Sequence, residues 1–353
     1  MTQSARSRPP AYSKLRQDPA KRLDLAEASP LPHPLTIFVE PTNVCNFKCG
    51  YCPESFADYS ERAGGLFRLG VPDFERICDQ ILELGRLKVL NLYMMGEPFV
   101  NKNLPDLIAT AKRKGVAERV VVTSNGTLID AAMAERVVAS KLDYLRISIY
   151  GATQERMASV TASKIPLDRV VANVRRLREL RDQGGSKAPF VYVKMIDSGD
   201  PVENRRFLDL FDGSCDEAAI EPVMNWNDPE GANLSGLGRD ELLGGQYFSR
   251  RKEVCPFPFY TLVIHSDLQV SVCCVDWAKQ TAVGNLKDQT LTEVWRSEAL
   301  HEFRMTHLRR QRQTLEACRN CTYLHTAPDN LDALLPEDLA ARRAGSDGWL
   351  LTT

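Results

Sequence analysis

The sequence predicts an α/β fold of parallel βα units, and three observations carry that expectation. Six short runs rich in β-formers recur: "LTIFVE" (35–40), "KVLNLYMM" (88–95), "RVVVTS" (119–124), "YLRISIY" (144–150), "FVYVKM" (190–195) and "AAIEPV" (218–223). Helical patterns lie between them. The runs are nearly continuous apolar stretches, as strands covered on both faces are. Strands alternating with helices run parallel, because each return needs a crossover. A barrel, a partial barrel and a doubly wound sheet all share this pattern. Each places its chemistry at the C-terminal ends of the strands.

The elements follow in order. Residues 1–33 are polar, Pro-rich and mildly basic, and are expected to form a mobile tail. They hold no apolar block of the kind a signal peptide needs. The first strand runs into "PTNVCNFKCGYCPES" (41–55). Residues 72–84 carry Phe74, Ile77, Cys78, Ile81 and Leu84 on one helical face, so Cys78 reads as core packing. Residues 103–114 start at Asn103 and end in Lys112, Arg113, Lys114 and Gly115, with cations at the negative end of the helix dipole. Residues 168–182 repeat the pattern with Val170, Val171, Val174 and Leu177, closing at Gly184. Cys215 sits in a turn, "DGSCDE", and is given no role.

Residues 225–250, rich in Gly, Asn and Asp, break the alternation and read as a linker. A second region follows, with a strand pair at 260–275 turning at "HSD" and a helix at 291–310. The expected organisation is therefore a tail (1–33), a βα domain (34–224), a linker (225–250), a small second domain (251–325) and a polar tail (326–353) with one short amphipathic stretch.

The chain has 353 residues, 43% hydrophobic and 26% charged, with net charge −1. It lacks the clustered excess of Lys and Arg that nucleic-acid backbones call for. No apolar run reaches the roughly 20 residues of a membrane span. With no secretion signal, a cytoplasmic location is expected. There the tight clusters among the ten cysteines read as metal or catalytic sites rather than disulfides.

Their spacing sorts them. Cys45-x3-Cys49-x2-Cys52 puts three thiols on one short loop after the first strand. A structural zinc site wants four ligands, and the nearest histidine, His33, precedes the strand. A [4Fe–4S] cube fits better: three cysteines hold three irons and leave one open to oxygen and nitrogen ligands. Cys255-x17-Cys273-x44-Cys318-x2-Cys321 supplies four thiols, enough to close a cluster fully. Such a site relays electrons or braces the fold, with a zinc ribbon as the plain alternative.

The triplet, with Tyr51 just before its last cysteine, resembles the signature of the radical S-adenosylmethionine (radical SAM) superfamily. The resemblance implies a partial (βα)6 barrel whose open iron chelates S-adenosylmethionine. It implies reductive cleavage to a 5′-deoxyadenosyl radical that removes a substrate hydrogen atom. In "MGEP" (95–98), Met95 stands where the family has a first Gly, and Gly96 and Glu97 are the implied cofactor contacts. Ser124 and Asn125 in "TSNGT", Ser148 in "ISIYG" and Lys194 are implied to reach the same cofactor.

The segments "CPFPFYTLVIHSDLQVSVCCVDW", "VGNLKDQTLTEVW" and "CRNC" resemble the SPASM and twitch extensions of that superfamily. There are too few cysteines for two auxiliary clusters. One is implied, making two [4Fe–4S] clusters per chain. The family spacing points to Cys273 as ligand and leaves Cys274 free.

Members with one auxiliary cluster and this spacing resemble antibiotic aminocyclitol dehydrogenases. The expected reaction is therefore oxidation of a secondary alcohol on a sugar, aminocyclitol, aminoglycoside or nucleoside. Hydrogen removal beside a hydroxyl and deprotonation would give a ketyl whose electron passes to the auxiliary cluster. Cys274, Asp276 and Arg239 are the candidates for catalytic roles, and Asn225, Trp226 and Asn227 could touch substrate. The alternatives are redox-neutral epimerisation with Cys274 as hydrogen donor, decarboxylation, peptide modification, and a non-enzymatic cluster- or zinc-binding protein. About 34 residues precede the first strand, which reads as too short for the recognition domain of many peptide-modifying relatives. The expected partners are a small polar substrate and a flavodoxin- or ferredoxin-like electron donor.

Overall fold

The computed structural model describes residues 23–221 and 252–344. Six strands follow the six predicted runs: β1 (Thr36–Val39), β2 (Leu87–Asn91), β3 (Ala117–Ser124), β4 (Tyr144–Ile149), β5 (Phe190–Ile196) and β6 (Glu217–Glu221). Each pairs in parallel with the next. The helices Val71–Leu84, Leu104–Lys114 and Leu167–Gln183 lie where the apolar spacing predicted them. Three more, Ala131–Ala139, Gln154–Thr161 and Pro201–Phe211, complete the crossovers. Asp130, Thr153 and Asp200 start them, each side chain accepting a first-turn backbone N–H.

The strands have two unlike faces. Ile37, Leu90, Val122, Leu145 and Val193 pack outward with Phe74, Ile77, Leu107, Val170 and Phe207 of the helices. Val121, Tyr144, Tyr192 and Ala219 face inward with Tyr93 and Phe190. Tyr144 stacks on Phe190 and Tyr192 at centroid distances of 5.6 and 6.0 Å. This is a partial (βα)6 barrel with an aromatic floor.

The second region brings a hairpin, as predicted, but it extends the barrel sheet. β7 (Thr261–Ile264) pairs in parallel with β1, and β8 (Gln269–Ser271) and β9 (Ala282–Asn285) follow antiparallel. All four β7 residues are buried, so "TLVI" has the composition of an interior strand. The predicted helix at 291–310 is two helices, Leu291–Arg296 and Glu298–Leu308, parted at Ser297. The Ser297 hydroxyl accepts the Leu300 N–H and starts the second.

Residues 23–33, expected within a mobile tail, are packed. Leu25 and Leu31 are buried, Trp295 Nε1 donates to the Leu31 carbonyl at 3.2 Å, and Arg342 donates to the Ala26 carbonyl at 2.7 Å. The predicted amphipathic stretch beyond 326 is the helix Pro336–Ala344, which buries Leu339. Among the described residues no helix is long and apolar enough to cross a membrane.

Candidate active site

The cysteine loop leaves β1 at the C-terminal end of the sheet, and its neighbours fix it from three sides. Lys48 and Gly50 N–H groups donate to the carbonyls of Thr161 and Val160. Asn46 donates to Thr127 Oγ1 and accepts from Asn125 Nδ2, both at 2.8 Å. Phe47 packs edge-on against Tyr150, and Tyr51 lies 6.1 Å from the same ring. The Glu97 N–H donates to the Val44 carbonyl at 3.0 Å. Gly96 makes that approach feasible. Its φ is +70°, and a Cβ there would lie 2.6 Å from the Thr42 carbonyl oxygen and 2.8 Å from Val44 backbone atoms.

Glu97 is buried and acts inside the protein. Its Oε1 accepts from Ser124 Oγ (2.7 Å) and the Phe99 N–H (3.1 Å), and its Oε2 accepts from the Asn125 N–H (2.6 Å). Burial pushes its carboxyl up to about 7 against the pull of these donors. Glu97, Ser124 and Asn125, predicted to touch the cofactor, therefore bond to one another and splice the β2 and β3 turns beneath the cysteine loop. Ser148 and Lys194 are ladder partners at the tops of β4 and β5. Lys194 donates to Glu221 at 3.1 Å.

Cys45, Cys49 and Cys52 are free thiols within this loop. Burial, and then the neighbouring Cys52, pushes Cys49 up to about 12; burial and then the nearby Glu54 carboxylate do the same for Cys52. Thiols so placed ionise when a metal centre neutralises them, which is the chemistry of an iron–sulfur ligand set.

The second cysteine group closes on a cavity. Cys255, Cys273, Cys318 and Cys321 line a common cavity with Phe257, His307, Arg312 and Tyr323. Arg312 donates to the carbonyls of Cys318 and Cys321, placing a cation beside the thiols. His307 Nδ1 accepts the Cys255 N–H at 3.4 Å, so Nε2 carries the proton, yet that buried atom has no partner. An orphaned donor on a wall of four thiols fits a sulfur-rich cluster, whose sulfurs accept hydrogen bonds.

Cys274 does not line that cavity; its Sγ lies 3.7 Å from the Tyr323 hydroxyl, which does. Asp276 is buried and turned into its own loop, accepting from the Gln280 and Thr281 N–H groups and Thr281 Oγ1. Both of its oxygens are engaged, so its geometry fits a loop brace better than a base. Arg239, Asn225, Trp226 and Asn227 lie outside the described residues.

Sequence reasoning missed Glu40. Buried at the end of β1, it accepts from the Met95 N–H and from the Ser266 N–H and hydroxyl. It thus joins the MGEP turn to the second region. Asn46, Thr127 and Tyr150 were missed for the same reason: each is an ordinary residue until its distant partner is known.

Residues 39–193 match the Radical SAM superfamily and residues 255–322 match SPASM, an iron–sulfur cluster-binding domain. The chain carries a Radical SAM superfamily domain and a SPASM-type domain. Its cofactors are S-adenosylmethionine and [4Fe–4S] clusters.

Among curated proteins, the PqqA peptide cyclase of Granulibacter bethesdensis is 34% identical over 115 residues, 33% of this chain and 29% of that protein. The Fe-coproporphyrin III synthase of Methanosarcina barkeri is 33% identical over 110 residues, 31% of this chain and 26% of that protein. The chain therefore spans under a third of the length of either relative. Among solved structures, SuiB of Streptococcus suis bound to S-adenosylmethionine superposes with TM-score 0.59 at 15% identity, over 88% of this chain and 79% of that one. BtrN in complex with AdoMet and 2-DOIA gives TM-score 0.54 at 17% identity, over 82% and 92%. These likenesses concern the fold.

Proposed function

We propose that this radical SAM enzyme oxidises a secondary alcohol of a small polar molecule (a sugar, aminocyclitol, aminoglycoside or nucleoside) to a ketone. One observation carries the reading: both cysteine groups flank a single apolar cluster. Cys52 of the first and Cys255 and Cys273 of the second pack against Met94, Met95, Val263 and Trp277. This shared packing supports an electron acceptor near the site of hydrogen removal, as a two-electron oxidation requires.

Cys45, Cys49 and Cys52 would hold the first cluster, and Cys255, Cys273, Cys318 and Cys321 the second. When bound, these groups and S-adenosylmethionine supply the 5′-deoxyadenosyl radical for hydrogen removal and a sink for the remaining electron. Gly96 lets the MGEP turn close on the cysteine loop. Glu97, Ser124 and Asn125 hold that turn rigid, and Tyr51 and Ser148 would be further cofactor contacts. Cys274, outside the four-thiol cavity, faces Tyr323 as a thiol able to donate hydrogen.

The test is product mass after turnover of anaerobically reconstituted protein with candidate polyols. We expect 5′-deoxyadenosine together with a product lighter by two hydrogens. Deuterium gained from heavy water would instead mean epimerisation through Cys274, and loss of carbon dioxide would mean decarboxylation. Peptide modification is the second reading, favoured by the peptide-cyclase relative and by the fold's likeness to SuiB bound to precursor peptide SuiA. A modified peptide with no polyol product would establish it over the first.

A further inference from the structure

We propose that the barrel lumen holds an anion subsite, formed by Arg146 and Lys194 around Glu221, that takes the carboxylate or phosphate of a sugar-like substrate. This rests on the polyol reading above and narrows it to acidic polyols.

The three residues come from consecutive strands, β4, β5 and β6, and share the inward face with Tyr192. Glu221 Oε2 accepts from Lys194 Nζ at 3.1 Å and from Arg146, while its Oε1 accepts the Tyr192 hydroxyl at 2.8 Å. Two cations therefore meet one carboxylate. Among the described residues, Tyr93 and Tyr192 beside Arg146 are phenols that burial holds neutral, and Glu217 lies one strand further on the same face, across Tyr192. Arg146, Lys194 and Glu221 by themselves keep a net positive charge.

Its hydrogen-bond balance points the same way. A guanidinium carries five N–H donors and an ammonium three. Arg146 Nε is buried and has no acceptor. Leaving such a charged donor unmet costs more than a hydrogen bond usually returns, so the lumen is short of anionic oxygen. Burial, and next the adjacent Arg146, pulls the Lys194 ammonium down to about 8, while Glu221 is held near 2 by both cations despite its burial. Two cations strained against each other gain from a second anion.

The position suits a substrate. The Lys194 and Glu221 side chains stay 17% and 24% exposed. They lie at the same end of the sheet as the cysteine loop, with Ser148 beside Lys194 in the ladder. This moves Lys194 from the cofactor, where its place in the sequence put it, to the substrate. A carboxylate or phosphate can be bound by both cations at once, which a hydroxyl cannot match.

The test uses the full chain with reconstituted clusters and no reductant, so nothing turns over. Calorimetry measures binding of glucose, glucosamine, glucuronate and glucose 6-phosphate, and separately of S-adenosylmethionine. We expect the two anionic sugars to bind about tenfold or more tighter than glucose, the gain of a charge-assisted pair, and glucosamine to bind weakest. Arg146→Gln and Lys194→Gln should remove that preference and leave S-adenosylmethionine binding unchanged. Glu221→Gln should strengthen anion binding, which a merely structural role would not do, and it still reports if Arg146→Gln misfolds. Equal binding across the panel, or none, overturns the proposal. So does a matching loss of S-adenosylmethionine affinity, which would assign the cations to the cofactor's carboxylate. Anion preference without oxidation would sink the dehydrogenase reading and leave the subsite standing. Oxidation of a neutral polyol without anion preference would do the reverse.

Discussion

Cys45→Ala, Cys49→Ala and Cys52→Ala are each expected to reduce 5′-deoxyadenosine formation to background and to lower bound iron by one cluster. The physical basis is the loop itself. Its three thiols leave β1 within eight residues, Cys49 buried and Cys45 and Cys52 half-buried, where they resist ionisation without a metal. Removing one leaves two, too few for a cube with one open iron. Cys78 gives the control. It is fully buried among Phe74, Ile77 and Ile81 in the helix-facing core, so Cys78→Ala should change stability but keep the iron. Iron and sulfide analysis beside product chromatography reads both outcomes.

Cys273→Ala and Cys274→Ala are expected to part company, although the residues are adjacent. Cys273 lines the four-thiol cavity, whereas Cys274 turns to the Tyr323 hydroxyl. Cys273→Ala should lose the second cluster's iron and all alcohol oxidation while still cleaving S-adenosylmethionine. Cys274→Ala should keep both clusters. Equal iron loss in both variants would mean that the two sulfurs share the ligand role. Iron content and product mass, measured on the same preparations, separate these results.

Much of this was legible in the sequence because local spacing carried it. The cysteine triplet, the Gly96 turn and the six strands each depend on residues a few positions apart. The Leu104–Lys114 helix was readable from its apolar period and its cationic end. The helix Pro201–Phe211 was not read, since its start depends on Asp200 accepting the Val202 N–H. That β7 would pair with β1 was hidden as well. A buried four-residue run looks the same whether it joins its own hairpin or another sheet, and these strands are about 225 positions apart.

Site residues divide along the same line. Glu97 was found from its motif, but its work for Ser124 and Asn125 appears only once β2 and β3 are adjacent. Arg146 and Glu221 were not singled out, because the alternation of a strand does not say which inward positions meet. Glu40 looked like the polar end of a strand until Met95 and Ser266 came to it.

Mössbauer spectroscopy of iron-57 protein, with and without S-adenosylmethionine, is the most direct check that one cluster here has an open iron. It should show two [4Fe–4S] clusters in the wild type, with one iron site of one cluster shifted by added S-adenosylmethionine. In Cys273→Ala the shifted cluster should remain alone. Spectra that ignore S-adenosylmethionine, or tetrahedral zinc in place of iron at the first cysteine group, would contradict it.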